Sequence, residues 1–284
     1  MRLVRFDQAG NTRLGVIRGE EVVALDALAD RYPTMLALIA GGDDALGAVR
    51  DLLATAPAGT PIGQVKLLAP IERPGKYLAI GMNYKKHIEE ARRLGVKPPE
   101  NQYWFNKQTS CIAGPFDDID PGVSMAIDYE VELGVVIGKP AKGVAADRAR
   151  DHVFGYLVCN DVTARDWQQH SPTFTIGKSF DTHGPIGPWI VTADEIQDPH
   201  ALGLRCYVNG ERRQSGNTGE LVFNIWDQIA YLSTACTLDS GDLLATGTPD
   251  GVGVGMQPPR FLNAGDVVRC EIDGIGAIEN RVAG

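Results

Sequence analysis

The sequence predicts an α+β chain that is mainly β, with a small N-terminal α+β domain ahead of a larger, strand-rich one. Three observations carry this. Short apolar or alternating runs bounded by Gly, Asn, Asp and Pro recur along the chain, while few segments show a 3.6-residue period. At 284 residues the chain exceeds the usual size of one compact unit. The stretch Ala56-Pro57-Ala58-Gly59-Thr60-Pro61 has linker composition, which places the first domain at 1–68 and the second at 69–284.

In chain order, 2–7, 13–18 and 21–25 read as strands, with Gly19-Glu20 turning between the last two. Helical patterns follow at 34–40 and 43–55, separated by Gly41-Gly42. Nothing catalytic is evident in this part, which reads as a packing or dimer-support module. Beyond the linker, 77–80 is a strand leading into a helix over 85–95, with Gly95 as its C-terminal cap. His87 and Glu90 are three apart and share a helix face. Only Ile88, Ala91 and Leu94 anchor this helix, and Gly95-Val96-Lys97-Pro98-Pro99-Glu100 follows it. A segment that buries so little opens and closes cheaply, so the region around 84–110 is expected to be a lid. In the next run, 103–107, Trp104 is expected in the core and the Tyr103 hydroxyl is a candidate substrate contact.

The chemistry is placed between Asp128 and Lys178. Leu133 to Ile137 is a buried strand, and residues i and i+2 of a strand face one way, so Glu130 and Glu132 project side by side. Two carboxylates at one spot repel, and a hard divalent cation between them is the simplest remedy: Mg2+, with Mn2+ or Ca2+ as alternatives. Asp161 ends a second apolar run, 153–159, and completes a three-carboxylate set; the bland alternative is a solvated strand face and a helix cap. A helix over 163–169 is expected to carry Arg165 and Gln168 on the face of Asp161. Lys178 sits among apolar neighbours and needs an anion, with Asp181 as the competing partner. Three carboxylates and a divalent ion sum to −1, so Arg165 and Lys178 are the cations that let an anionic keto acid approach.

The remainder looks structural up to one loop. Asn209-Gly210 turns a hairpin within 202–216, and 224–232 is a helix with Ile225, Ile229 and Leu232 on one side. From 243 a strand enters the Gly-rich loop Thr246-Gly247-Thr248-Pro249-Asp250-Gly251-Val252-Gly253. It lacks the Lys-Ser/Thr ending of a nucleotide-binding loop, but its amides and Thr248 are candidates for holding a substrate carboxylate. A last hairpin turns at Asp273-Gly274. A net charge of −9 argues against nucleic acid or an anionic membrane as partner. No run approaches the length of a membrane span, and residues 1–7 lack the apolar region of a signal peptide, so a cytoplasmic protein is expected. Five widely spaced cysteines suit neither a disulfide framework nor a zinc site, and Cys159 reads as a buried structural thiol.

Five motifs occur together: Asp-Tyr-Glu-Val-Glu-Leu (128–133), Asn-Asp-Val-Thr-Ala-Arg-Asp-Trp-Gln (160–168), Gly-Lys-Ser-Phe-Asp (177–181), Gly-Met-Asn-Tyr-Lys-Lys-His-Ile-Glu-Glu (81–90) and Thr-Gly-Thr-Pro-Asp-Gly-Val-Gly (246–253). In these the chain resembles the fumarylacetoacetate hydrolase family over roughly residues 70–284. The resemblance implies a mixed β-sandwich roll, commonly dimeric, with a lid-borne His-Glu pair that activates water and matches His87 and Glu90. The Gly-rich loop would border the pocket. The expected activity is metal-dependent hydrolysis of a carbon–carbon bond in a 2,4-diketo acid, with Lys178 assisting. Oxo-acid decarboxylation or keto-enol isomerisation on the same metal is the alternative, and a non-catalytic keto-acid-binding protein is the reading from another class. Zinc is disfavoured because no His or Cys belongs to the cluster.

Overall fold

A computed structural model describes residues 1–284. Its main sheet runs through Thr60–Pro61, Glu21–Ala24, Asn11–Arg18, Arg2–Gln8, Gly184–Thr192, Val153–Asn160, Val131–Ile137, Leu243–Ala245, Tyr77–Gly81 and Tyr103–Lys107, in that spatial order. A second, four-stranded antiparallel sheet orders Glu211–Asn217, Gly203–Val208, Val267–Ile272 and Gly276–Arg281. The chain is therefore α+β and sheet-dominated, as its many short strands predict. The strand Val131–Ile137 is buried along its whole length, and its alternation shows why. Val131, Leu133, Val135 and Ile137 pack with Cys206, Val208 and Ile272 of the second sheet. Val136, on the opposite face, packs with Met35, Leu38 and Ile39 of the helix Met35–Ala40. Both faces of a strand can be apolar only when both are covered.

The N-terminal hairpins form where alternation and turn residues place them, but they add to the main sheet. Arg2 and Leu3 pair with Val191 and Ile190. The 56–61 segment is tied down as well: Arg18 donates to the Ala56 and Pro57 carbonyls, and Thr60 pairs with Val22. Thr34 caps the first helix and Asn224 caps Ile225–Ala235. Gly95 follows the lid helix Lys85–Arg93 at φ 82°, a value its missing Cβ permits. One expected helix is shorter than its pattern. Arg165–Gln168 makes a single turn, because Thr163 and Ala164 pair as strand with Asp128 and Ile127. Asp161 therefore lies off the helix, and another mechanism must bring Arg165 and Gln168 to it. No helix is long and apolar enough to cross a membrane.

Candidate metal centre and active site

The antiparallel ladder between Val131–Ile137 and Val153–Asn160 builds the centre. Val131 pairs with Asn160, and the Asp161 N–H donates to the Glu130 carbonyl at 2.9 Å, so residues distant in sequence become neighbours. Glu130, Glu132 and Asp161 are all buried and each brings a carboxylate oxygen within 4.8 Å of the others. Three cations surround them. Lys178 Nζ reaches Glu130 Oε2 at 2.7 Å and Asp161 Oδ2 at 2.6 Å, so Asp181 is not its partner. Arg165 donates to Glu130 Oε1 at 2.6 Å, to Asp128 Oδ2 at 2.8 Å and to Gln168 Oε1 at 3.1 Å. Lys107 Nζ holds Asp161 Oδ1 at 2.6 Å and also donates to the Lys178 carbonyl.

The electrostatics single out one member. Burial opposes ionisation of Glu130, but Lys178 and Arg165 outweigh it and bring the carboxyl down to about 2. Burial works against the Lys107 ammonium too, yet Asp161 holds it above the ordinary lysine value. Glu132 has no side-chain cation; its hydrogen-bond donor is the Gly247 amide, 2.7 Å from Oε2. Burial, then Asp161 and Glu130, hold its carboxyl well above the usual carboxylate range. The cluster thus lacks positive charge at Glu132, and its donors are hard oxygens. That set fits Mg2+, Mn2+ or Ca2+ held by Glu130, Glu132 and Asp161, and does not suit zinc.

The helix Lys85–Arg93, the expected lid, lies over this centre. His87 Nδ1 lies 2.9 Å from Glu90 Oε2, while the Gly251 amide donates to Glu90 Oε1 at 3.1 Å. A carboxylate only accepts, so Nδ1 carries the proton and Nε2 is left as the basic nitrogen. His87, Glu90, Glu130, Glu132, Arg165, Gln168, Lys178 and Thr248 line one cavity of about 250 Å³. Thr248 Oγ1 accepts from Gln214 Nε2 at 2.7 Å, which leaves its hydroxyl proton to donate elsewhere.

Of the residues singled out from the sequence, Tyr103 is the exception. Its hydroxyl donates to the Pro172 carbonyl at 2.6 Å and it does not line the cavity; Phe105, on the same strand face, does. Arg165 and Gln168 reach the centre through their own hydrogen bond and the Arg165 fork, not through a helix shared with Asp161. Sequence reasoning missed Lys107, although a lysine closing the aromatic strand 103–107 poses the same pairing question as Lys178. It also missed Asp128, two before Glu130 in one alternation, which accepts from Arg165 and from the Gly253 and Val254 amides. Gln214 carried no local signal.

Residues 76–283 match the family described as fumarylacetoacetate (FAA) hydrolase C-terminal, and residues 1–70 match Rv2993c-like, N-terminal. A mitochondrial oxaloacetate tautomerase of Bos taurus is 43% identical over 290 residues, covering 99% of this chain and 91% of the relative. Fumarylacetoacetate hydrolase from Exiguobacterium antarcticum superposes with a TM-score of 0.86 at 37% identity, covering 100% of this chain and 99% of that one. Maleylpyruvate hydrolase from Sphingobium sp. SYK-6, solved with manganese(II) and pyruvate, gives 0.84 at 35% identity with the same coverage.

Proposed function

The chain belongs to the fumarylacetoacetate hydrolase family, and from that premise we propose that it is a divalent-metal-dependent hydrolase cleaving a carbon–carbon bond in an acylpyruvate-type 2,4-dioxo acid. The observation that carries this is the braced His87–Glu90 pair in the same cavity as Glu130 and Glu132, whose carboxylates gather with that of buried Asp161. The ion, Mg2+ first and Mn2+ or Ca2+ next, would supply Lewis acidity and a template for adjacent substrate oxygens. The manganese(II) and pyruvate of the Sphingobium enzyme support that class of ion and ligand.

His87 Nε2 removes a proton from water, and Glu90 stabilises the resulting imidazolium. The hydroxide adds to C4, the C3–C4 bond breaks, and its electron pair passes to the C2 oxygen as an enolate facing Lys178 and Gln168. Return of the proton to C3 yields pyruvate and a carboxylic acid. The substrate carboxylate is assigned to Thr248 and Arg165. Lid closure both positions the base and excludes bulk water.

Acetylpyruvate with Mg2+ is expected to lose its diketone absorbance and give two acids. His87→Ala should lower turnover by roughly 10²–10⁴-fold with metal affinity, read by calorimetry, unchanged; undiminished turnover would remove His87 as the base. A second reading, keto-enol isomerisation, draws support from the 43% identical tautomerase: the same base can take the C3 proton with no water involved. Absorbance change without acid products selects it. Release of CO2 selects decarboxylation, and binding without turnover a carrier. A homodimer belongs to the same proposal, supported by exposed Val123 and Met125 on one loop and tested by light scattering; a cytoplasmic location is proposed with it and tested by fractionation.

A further inference from the structure

The cavity has two chemically different ends. Around the metal centre it is polar and cationic, with Arg165, Lys178, Gln168 and Thr248. At the lid it is walled by Ala91, Leu94 and Val96, while Val252 and Val254 face it from the other side, where the Val254 amide and Arg165 Nε share Asp128 Oδ2. Leu94 is seven residues past His87, two turns along the same helix face and about 10 Å away at 1.5 Å per residue. The lid is rich in cations, yet Lys85, Lys86, Arg92, Arg93 and Lys97 all lie off the cavity-lining face. The opposing wall is fixed. The Gly253 and Val254 amides donate to Asp128 at 2.7 and 3.0 Å, and Val252 is buried. Leu94 and Val96, by contrast, stand 42% and 43% exposed. Those side chains have apolar surface left to bury, and no lysine or arginine of the lid lines the cavity beside them.

Resting on the acylpyruvate reading, we propose that the group distal to the reacting carbonyl is an uncharged alkyl chain, selected by Leu94 and Val96 of the lid against a carboxylate-ended one. The substrate is then a monoacid, unlike the oxaloacetate and maleylpyruvate in the names of its relatives. An anion pushed against this wall loses hydration without gaining a partner. Each methylene covered by it gains about 0.8 kcal/mol, or roughly fourfold in affinity.

The test uses the Mg2+-loaded full chain with acetyl-, butanoyl- and hexanoylpyruvate against two dioxo diacids, succinylpyruvate and maleylpyruvate, together with dissociation constants for pyruvate, 2-oxohexanoate and oxaloacetate. The expected result is kcat/KM rising about fourfold per methylene until the cavity fills, diacids at least tenfold poorer, and 2-oxohexanoate the tightest ligand. Leu94→Lys should flatten the chain-length series and improve the diacids. Diacids cleaved as well as hexanoylpyruvate, or a flat series in the wild type, overturn the inference and leave the hydrolase reading standing. If no dioxo acid is cleaved the hydrolase reading falls, and the order of the three dissociation constants still decides the inference: 2-oxohexanoate tightest supports it, pyruvate or oxaloacetate tightest overturns it.

Discussion

At the scale of single residues, Glu132 is the carboxylate left without a side-chain cation, and two results follow from that. Glu132→Gln should weaken Mg2+ binding by on the order of 100-fold or more, beyond the usual loss for a supporting residue, read by calorimetry. Its effect on the metal-free fold has the opposite sign. A carboxyl raised in the folded state stabilises below its unfolded value and loses that contribution as pH rises through the folded one. The metal-free wild type should therefore melt lower as pH rises above the carboxylate range, while the Gln variant should not. His183 behaves in the reverse sense. Its ring stacks on Phe180, Nε2 donates to the Asp120 carbonyl at 2.9 Å, and Nδ1 is buried without a partner. Burial, then Lys107, push its pKa down to about 4. Below the usual histidine value the unfolded chain binds the proton more readily, so stability falls as pH drops from about 6.5 towards 4. Between pH 7 and 4.5 the wild type should lose roughly 2 kcal/mol more than His183→Phe in denaturant titrations. The carboxylates were legible because strand periodicity aligns Glu130 with Glu132, and Asp161 ends the neighbouring apolar run. Lys107 and Gln214 were not, since their partners lie 54 and 34 residues away and only the folded chain brings them together.

At the scale of elements, the lid helix is fastened on its cavity side through Glu90. Glu90 orients His87 with one oxygen and accepts the Gly251 amide with the other, and Gly255 packs so closely on that carboxylate that a Cβ there would collide with it. Gly255→Ala should displace the lid and lower kcat/KM by on the order of 100-fold, the scale of a 1 Å misplacement. Metal affinity should hold, and amide exchange should speed up across Lys85–Arg93. Equal exchange rates in the two proteins would show that Glu90 does not fasten the lid. The helix itself was legible from its apolar anchors Ile88, Ala91 and Leu94 and from the spacing of His87 and Glu90. Its fastening was not, because Gly251 and Gly255 look like ordinary turn residues in sequence. The Arg165–Gln168 turn failed in the other direction: helical composition over 163–169 yielded to the pairing of Thr163 with Asp128.

At the scale of the whole molecule, the N-terminal strands and the metal centre share one sheet. Leu3 is fully buried and pairs with Ile190, on the strand whose other neighbour, Val153–Asn160, delivers Asp161. Leu3→Ala should cost about 3 kcal/mol in a single cooperative transition, and two separate transitions would contradict a shared sheet. Deleting residues 1–70 should leave Gly184–Thr192 as an open edge prone to aggregation, visible by size exclusion. The strands were legible one by one; their continuity across the 56–61 segment was not, because linker composition carries no register. The buried lysines and Arg165 add a last consequence. Lys178 bridges Glu130 and Asp161 while Arg165 and Lys107 hold their other oxygens, so the two carboxylates stay together in the ion-free chain, and the proposed ion is expected to load without refolding. On the proposed reading, occupancy then follows whichever divalent ion the surroundings supply, and turnover is expected to rise and fall with that supply.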